Sequence, residues 1–127
     1  MAKKLSLVFG VVFLVVGLLG FVSNPIVGEG AMFHTDGLHN VVHLLFGLML
    51  LYGGTKGGAN ASMILKVSGV IYLVLAVLGF LMGGDSLLGL VAINSADNWL
   101  HLVLGLGLLY AGIAKGGSSM SMGGSSM

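Results

Sequence analysis

Two nine-residue motifs contain three of the four histidines of this chain, the side chains best suited to ligand or proton-transfer chemistry. They are His39-Asn40-Val41-Val42-His43-Leu44-Leu45-Phe46-Gly47 and Asp97-Asn98-Trp99-Leu100-His101-Leu102-Val103-Leu104-Gly105. Asn, His and Gly recur in register, each pair 58 residues apart. Imidazole binds iron, zinc and copper, and it changes charge near neutral pH. Because Asn at position i and His at i+3 share one face of a helix, each motif presents an amide and an imidazole together on the face that carries the glycine.

Three roles fit the motif histidines, His43 and His101. The first is hydrogen bonding between helices, where each contact in a membrane contributes about 0.6 kcal/mol on average. The second is ligation of a haem, a chlorin or a divalent metal ion by the two imidazoles together. The third is proton or small-ligand traffic in a transporter or sensor. These alternatives stay open at the level of sequence.

Other polar residues flank the motifs. His34 and Asp36 are weak candidates for a divalent-metal site, since imidazole and carboxylate both bind such ions. Capping of a helix N-terminus explains Asp36 and Asp97 more simply. His39 and Asp97 occupy equivalent positions and would pair across a symmetry axis. We therefore assign four residues to a structural polar motif, namely Asn40, Asn98, His39 and Asp97, and we keep the other two, His43 and His101, as the cofactor-binding candidates.

Composition indicates what positions these side chains. Of 127 residues, 57% are hydrophobic and 7% are charged, whereas about 25% are charged in soluble domains. The mean hydropathy is +1.10. Four apolar runs, 5–22, 37–54, 63–82 and 96–114, each approach the roughly 20 residues that span a bilayer as a helix. The sequence predicts an all-α integral membrane protein with four transmembrane helices, surrounded by lipid and without a nucleic-acid partner.

Charge placement predicts the orientation. The lysines are Lys3, Lys4, Lys56, Lys66 and Lys115, and the carboxylates are Glu29, Asp36, Asp85 and Asp97. All the lysines fall near the two termini or the middle connection, and the carboxylates fall in or beside the other two connections. By the positive-inside rule both the N-terminus and the C-terminus are cytoplasmic. The chain has no cysteine, which excludes disulfides and thiolate metal sites.

An internal repeat organises the four runs. Residues 10–21 resemble residues 69–80 at an offset of 59, so the chain is predicted to consist of two parallel-repeat helical hairpins. Repeat one covers 5–54 and repeat two covers 63–114, within a transmembrane domain of residues 1–115. Small residues spaced by seven, such as Gly10 and Gly17, predict close left-handed helix contacts. Residues 116–127 contain only Gly, Ser and Met, which predicts a flexible tail.

The connections carry weaker signals. Gly83-Gly84-Asp85 predicts a turn after the third helix, and Asn60 or Ser62 is expected to cap the start of that helix. The apolar pieces 31–33 and 87–93 are expected to lie at the membrane interface or against the helices.

The motif pair resembles a family of small four-helix bacterial membrane proteins known as a domain of unknown function. The resemblance is carried by Asn-x-x-His-x-x-x-Gly in both motifs and by Gly20-Phe21 and Gly79-Phe80. It covers nearly everything before the tail. It implies a multi-pass protein of the bacterial plasma (inner) membrane, and it carries over no catalytic residues.

From these observations we expect a structural or accessory role in a larger membrane complex or homo-oligomer, with the glycine faces as contacts. The alternatives are a haem-, pigment- or metal-binding protein that uses His43 and His101, or a small transporter or sensor. No nucleophile has a neighbouring base and no phosphate loop is present, so we do not expect an enzyme.

Overall fold

The computed structural model describes residues 2–83, 86–87, 89 and 91–115. Within this part the chain forms four helices: α1 Ala2–Leu19, α2 Gly37–Lys56, α3 Gly58–Met82 and α4 Ser95–Tyr110, the last followed by a π-helical turn at Ala111–Lys115. The predicted tail at 116–127 and the turn residues Gly84 and Asp85 lie outside the described residues.

Three of these helices, α1, α2 and α3, are long and apolar enough to cross a membrane. The fourth predicted span, 96–114, is divided between α4, with 16 residues, and the π-helical turn. Large apolar side chains cover the outside of the helices, among them Val8, Val15, Leu45, Leu48, Val74 and Val103. Such a surface is expected against lipid, because a soluble protein rarely exposes a continuous apolar face.

Glycines bring neighbouring helices into backbone contact. A Cβ added to Gly10 of α1 would lie 3.0 Å from the carbonyl oxygen of Gly47 in α2. A Cβ added to Gly69 of α3 would lie 2.5 Å from the backbone nitrogen of Leu109 in α4. Because lipid offers no hydrophobic drive for helix association, this close approach supplies the packing contacts. The spaced glycines therefore act as contacts between helices of the same chain.

The order of the glycine contacts along the chain shows that α1 and α2 pack antiparallel, and that α3 and α4 do the same. Gly17 of α1 lies against Asn40 at the start of α2, whereas Gly54 at the end of α2 lies against Lys3. In the same way Gly79 lies against Asn98, and Gly112 lies against Lys66. The largest fully buried apolar and aromatic side chains sit between the helices and are Tyr72, Phe13, Leu50, Leu65, Ile93 and Leu108.

The starts of α2 and α4 are capped by polar side chains. Asp36 is the N-cap of α2 and accepts a hydrogen bond from the backbone nitrogen of His39 at 2.9 Å. Asn94 is the N-cap of α4, and Asp97 completes a reciprocal capping box with it. Such caps satisfy backbone N–H groups that a helix leaves unpaired. The capping role predicted for Asp36 is confirmed, and Asp97 serves the cap as its third helical residue.

The predicted cap of α3 was wrong. The helix begins at Gly58, and its N-cap, Gly57, makes no side-chain hydrogen bond. Gly57 has a φ of 123°, a backbone conformation that glycine adopts without strain. This turn lets α3 begin almost directly after α2. Ser62 lies one turn further on and donates instead to the carbonyl of Gly112 in the π-helical turn, at 2.7 Å.

Short strands, which the sequence did not predict, order the first and third connections between helices. In the first, β1 (Val27–Gly28) pairs with β2 (Phe33–His34) in parallel; in the second, β3 (Ser86–Leu87) pairs with β4 (Val91–Ala92) in antiparallel fashion. Val27, Leu87 and Ile93 are buried, so both connections pack against the helices. They cover the ends of α2 and α4 at which the two motifs begin.

Candidate functional site

Three histidines meet where α2 and α4 begin. His39 and His43 of α2 and His101 of α4 place their ligand nitrogen atoms within 4.8 Å of one another. The side chains are only 2%, 2% and 3% exposed. His39 and His43 are four residues apart and share a helix face, with ring centroids 4.6 Å apart. The ring of His101 lies 5.5 Å from that of His39 and 6.2 Å from that of His43. We call these residues the three-histidine cluster.

The hydrogen bonds of the cluster are incomplete. Nδ1 of His39 lies 2.6 Å from the carbonyl oxygen of Ala92. Because a carbonyl only accepts, Nδ1 carries the proton and Nε2 keeps a lone pair. Both ring nitrogens of His43 and Nε2 of His101 are buried without a hydrogen-bond partner among the described residues. Since an unsatisfied buried polar group costs about 1–3 kcal/mol, these nitrogens favour a shared ligand.

The backbone of Ala92 is held on both sides. Its carbonyl accepts from His39, and its nitrogen donates to Oδ2 of Asp36 at 3.1 Å. Oδ1 of the same carboxylate caps α2. The side-chain amide of Asn94 in turn donates to the carbonyl of Met32 at 2.9 Å. The first and third connections therefore hold each other and set the position of the His39 ring.

Aromatic rings pack beside the cluster. Phe13 of α1 meets His43 edge-on at 5.8 Å between ring centroids, and Tyr72 of α3 meets His101 edge-on at 5.3 Å. Phe13 and Tyr72 also contact each other at 5.3 Å. The hydroxyl of Tyr72 is buried and has no hydrogen-bond partner among the described residues. Four helices thus contribute to one layer of rings around the histidines.

A small cavity adjoins the cluster. It has a volume of about 120 Å³, and its walls include His39, His101, Tyr72, Leu87, Val91 and Ile93. The hairpin β3–β4 supplies its outer wall. A wider and more open cavity of about 250 Å³ lies along residues 20–29 and contains none of the cluster histidines. Of the two cavities, the smaller one is bordered by cluster histidines.

The motif asparagines occupy equivalent settings beside glycine. Asn40 packs on Gly20, the residue after α1, and Asn98 packs on Gly79 of α3, so closely that a Cβ on either glycine would overlap the asparagine Oδ1 atom. Both Oδ1 atoms are buried without a hydrogen-bond partner among the described residues. Each asparagine thus fits a space that only glycine leaves open.

The weaker metal candidates lie apart from the cluster. His34 is half-buried, and its Nδ1 atom accepts from the backbone nitrogen of Gly30 at 3.0 Å. Asp36 caps α2 and holds Ala92. Neither side chain belongs to the group whose ligand atoms lie within 4.8 Å of one another.

The expected pairing of His39 with Asp97 was wrong. Oδ2 of Asp97 accepts from the backbone nitrogen of Asn94 at 3.0 Å, and the Nδ1 atom of His39 bonds to Ala92. Asp97 is drawn into its own helix cap because its position as third residue of α4 places it over the unpaired N–H of the cap residue.

Sequence reasoning left two residues of the site unassigned to ligand chemistry. It placed His39 in the structural motif, although His39 and His43 at i and i+4 have the spacing of paired metal ligands on a helix. It treated Tyr72 as part of an apolar run, although the position corresponds to Phe13 at the offset of 59. The signal available in the sequence was the hydroxyl of Tyr72 at a position that is apolar in the first repeat.

Comparison with known proteins identifies the family of the chain. A family model described as a domain of unknown function (DUF4383) matches residues 3–114. No curated protein and no solved structure matches the chain. The resemblance carried by the motif pair is thereby confirmed.

Proposed function

The chain belongs to this family of domains of unknown function, and from its geometry we propose that it is a membrane protein that binds one divalent transition-metal ion on His39, His43 and His101. The observation that supports the proposal is the cluster itself, in which three buried imidazoles converge within 4.8 Å. Nitrogens of His43 and His101 in this cluster have no other hydrogen-bond partner among the described residues.

The donor set fits a zinc-like ion. Zinc binds histidine nitrogen at about 2.0–2.1 Å, so ligand nitrogens in a tetrahedral site lie about 3.4 Å apart. The ligand nitrogens of the three histidines lie within 4.8 Å of one another, and small rotations of the imidazoles would bring them to the tetrahedral separation. An all-imidazole set without thiolate suits zinc, copper, iron or nickel better than magnesium or calcium. The bond from His39 to Ala92 is the kind of outer contact that orients a metal-binding histidine.

The size of the cavity favours a metal ion over a macrocycle as the ligand of the cluster. Pockets for organic ligands usually measure about 300–1,000 Å³, whereas the cavity beside the cluster measures about 120 Å³. Phe13 and Tyr72 fill the space next to the His43 and His101 rings. A haem or chlorin held between these two histidines would require the rings to move out of their packed positions.

Helix packing and charge support a multi-pass topology with the cluster at the outer face. The contacts of Gly54 with Lys3 and of Gly112 with Lys66 bring lysine-bearing segments to one end of the helices. Glu29 and Asp36 belong to the other end. By the positive-inside rule the lysine end, with both termini, is cytoplasmic. We place the protein in the bacterial plasma membrane with the metal site toward the outside.

A two-hairpin repeat is supported by matching contacts. Asn40 packs on Gly20 in the first half, and Asn98 packs on Gly79 in the second. Parallel repeats of this kind are related by an axis along the membrane normal. The cluster departs from the symmetry, since the second-half equivalent of His39 is Asp97. The repeat therefore supplies one asymmetric site.

A metal site on the three-histidine cluster is compatible with an accessory role in a larger complex. The glycines expected to contact a partner are engaged between helices of the chain itself, so a partner would dock on the lipid-facing side chains. Purification in mild detergent separates the two ideas. A stoichiometric partner that survives purification supports the accessory role, and a lone metal-loaded chain counts against it.

Metal loading tests the proposal. Purified protein is stripped with a chelator and titrated with Co²⁺, which reports tetrahedral coordination by visible absorption, and bound metal is measured by mass spectrometry. We expect one ion per chain in the native protein and loss of binding in His43→Ala and in His101→Ala. His34→Ala removes a histidine outside the cluster and should bind normally. Folded native protein, verified by circular dichroism, that takes up no stoichiometric metal would overturn the proposal.

A further inference from the structure

The small cavity beside the three-histidine cluster is bordered by α2, α3, α4 and the connection that contains β3 and β4. We propose that this cavity is a dry binding site for one small, uncharged, apolar molecule of the size of dioxygen. The site needs no metal ion. The inference therefore goes beyond the proposed metal-binding function and stands or falls separately from it.

The wall of the cavity offers nothing to water. Among the described residues, all the surface that faces the cavity is apolar. Its aliphatic members are Val42, Leu75, Leu87, Val91 and Ile93. The rings that also border the cavity, His39, Tyr72 and His101, present carbon atoms to it. Because a buried water molecule needs about two to four polar partners, we expect the cavity to stay dry.

The size of the cavity limits the ligand to a few heavy atoms. Its volume is about 120 Å³, and an apolar protein cavity of about 150 Å³ stays dry and binds benzene or xenon. One xenon atom or one diatomic gas molecule therefore fits here. The atoms that line an empty cavity lack dispersion contacts on one side, so a molecule that fills the space binds without a hydrogen bond.

The chemistry of the wall also selects the charge of the ligand. An ion or a polar metabolite would lose its hydration and gain no hydrogen bond or ion pair in return, which is costly. An apolar molecule, in contrast, gains free energy when it leaves water for an apolar environment. The wall therefore favours gases such as dioxygen over ions.

Aliphatic side chains link the cavity with the lipid-facing surface. Val42, Leu75 and Val91 are half-buried, and the neighbours of the first two along the chain, Val41 and Val74, are exposed. Apolar solutes concentrate in hydrocarbon relative to water. We therefore expect the ligand to enter from the bilayer.

Methyl NMR of the detergent-solubilised native protein under xenon pressure tests the inference. The methyl signals of Leu87 and Ile93, which are buried in the cavity wall, should shift with xenon pressure and reach a plateau. Val103 is 63% exposed, and its signal should shift linearly, because xenon also dissolves in the detergent. Water should give no nuclear Overhauser effect to the cavity methyl groups.

A second measurement on the same sample uses dioxygen. Because dioxygen is paramagnetic, it should broaden the signals of Leu87 and Ile93. Xenon should relieve that broadening, since both molecules would occupy one volume, whereas the signal of Val103 should stay broadened.

Matched variants fill the cavity or spare it. Val42→Phe adds a ring to the wall and should abolish the plateau in the xenon shift. Val41→Phe adds the same ring at the neighbouring exposed position of α2 and should leave the plateau unchanged. Val91→Phe fills the cavity from β4, which provides a second test if the substitution in α2 disturbs the fold. Circular dichroism and the methyl signals of Leu50, a core residue outside the cavity wall, verify folding.

Each outcome decides for or against the site. Xenon shifts at Leu87 and Ile93 that stay linear would overturn the inference, as would a water signal at these methyl groups. A plateau that survives in folded Val42→Phe and Val91→Phe, or broadening that xenon does not relieve, would also overturn it. We expect the same xenon response in chelator-stripped and cobalt-loaded protein. Protein that binds xenon but no cobalt would refute only the proposed metal site, and protein that binds cobalt but no xenon would refute only this inference.

Discussion

The Nδ1 atom of His39 lies 2.6 Å from the carbonyl oxygen of Ala92, 53 residues further along the chain. This contact joins the start of α2 to β4 in the connection between α3 and α4. It determines which nitrogen of His39 carries the proton, and therefore which nitrogen faces the cluster. Asp36 accepts a hydrogen bond from the backbone nitrogen of the same residue, so the geometry of the cluster depends on how β4 is held.

The first prediction concerns this attachment. Asp36→Ala removes the cap of α2 and the bond to Ala92, and it should destabilise the fold by about 1 kcal/mol. Because outer contacts of metal ligands affect affinity by about 10- to 100-fold, we expect cobalt affinity to fall by about tenfold. Asp97→Ala also removes a helix-cap hydrogen bond, the one from the backbone nitrogen of Asn94, but it leaves the contacts of Ala92 and Met32 in place. Equal losses of cobalt affinity in the two variants would contradict the proposed link.

Asparagine packing gives a second prediction. Gly20→Ala should destabilise the fold by about 1–3 kcal/mol, as overpacking does, because the added methyl overlaps Asn40. Gly37→Ala is the control, since no atom lies within 4 Å of its added Cβ. Unfolding in detergent measures both. Shortening Asn40 to Ala in the Gly20→Ala background should recover part of the loss, and strict additivity of the two changes would count against the contact.

A third prediction compares two glycines in the second half of the chain. A Cβ on Gly69 would meet the backbone nitrogen of Leu109 at 2.5 Å, whereas a Cβ on Gly107 would meet only the Phe9 ring at 3.5 Å. Gly69→Ala must push two helices apart and should cost about 1–3 kcal/mol. Gly107→Ala should stay within about 0.5 kcal/mol of the native protein. Comparable losses in the two variants would show that α3 and α4 are not in backbone contact.

The fourth prediction concerns the buried serines. The hydroxyl of Ser6 donates to the carbonyl of Leu50 at 2.5 Å, and that of Ser62 donates to the carbonyl of Gly112. Each alanine substitution should cost about 0.6 kcal/mol, and at most about 1.7, as interhelical bonds in membranes do. Ser68 has no hydrogen-bond partner among the described residues, so Ser68→Ala should be neutral or stabilising. A larger loss at Ser68 than at Ser6 would refute this ranking.

The last prediction tests the orientation. Because the chain has no cysteine, single cysteines report their side of the membrane without background. Glu29→Cys should react with a membrane-impermeant maleimide in intact cells with a permeable outer envelope. Lys56→Cys should react only after the plasma membrane is opened. The reverse pattern would invert the proposed topology and place the three-histidine cluster on the cytoplasmic side.

Residues whose behaviour depends on their immediate neighbours were readable from the sequence. The apolar runs predicted membrane-length helices because hydropathy over about 20 residues is a local property. Asp36 was recognised as a cap because its role depends on the three residues that follow it. The cap of α3 failed for a related reason, since the sequence does not show that Gly57 takes a left-handed conformation and lets the helix begin at Gly58.

The tertiary structure decided which polar groups meet. The repeat alone predicted that His43 and His101 form a pair. His39 joins them in the cluster because the carbonyl of Ala92 holds its ring, whereas Asp97 stays outside the cluster because it bonds to Asn94. Local spacing describes one helix face, whereas a ligand site needs faces from different helices at a distance of a few ångströms. That distance is set by glycine contacts and by the β3–β4 connection, whose short strands carry little sequence signal. The sequence alone determined that buried imidazoles would lie near the ends of membrane helices, and only packing decided that three of them converge beside Tyr72.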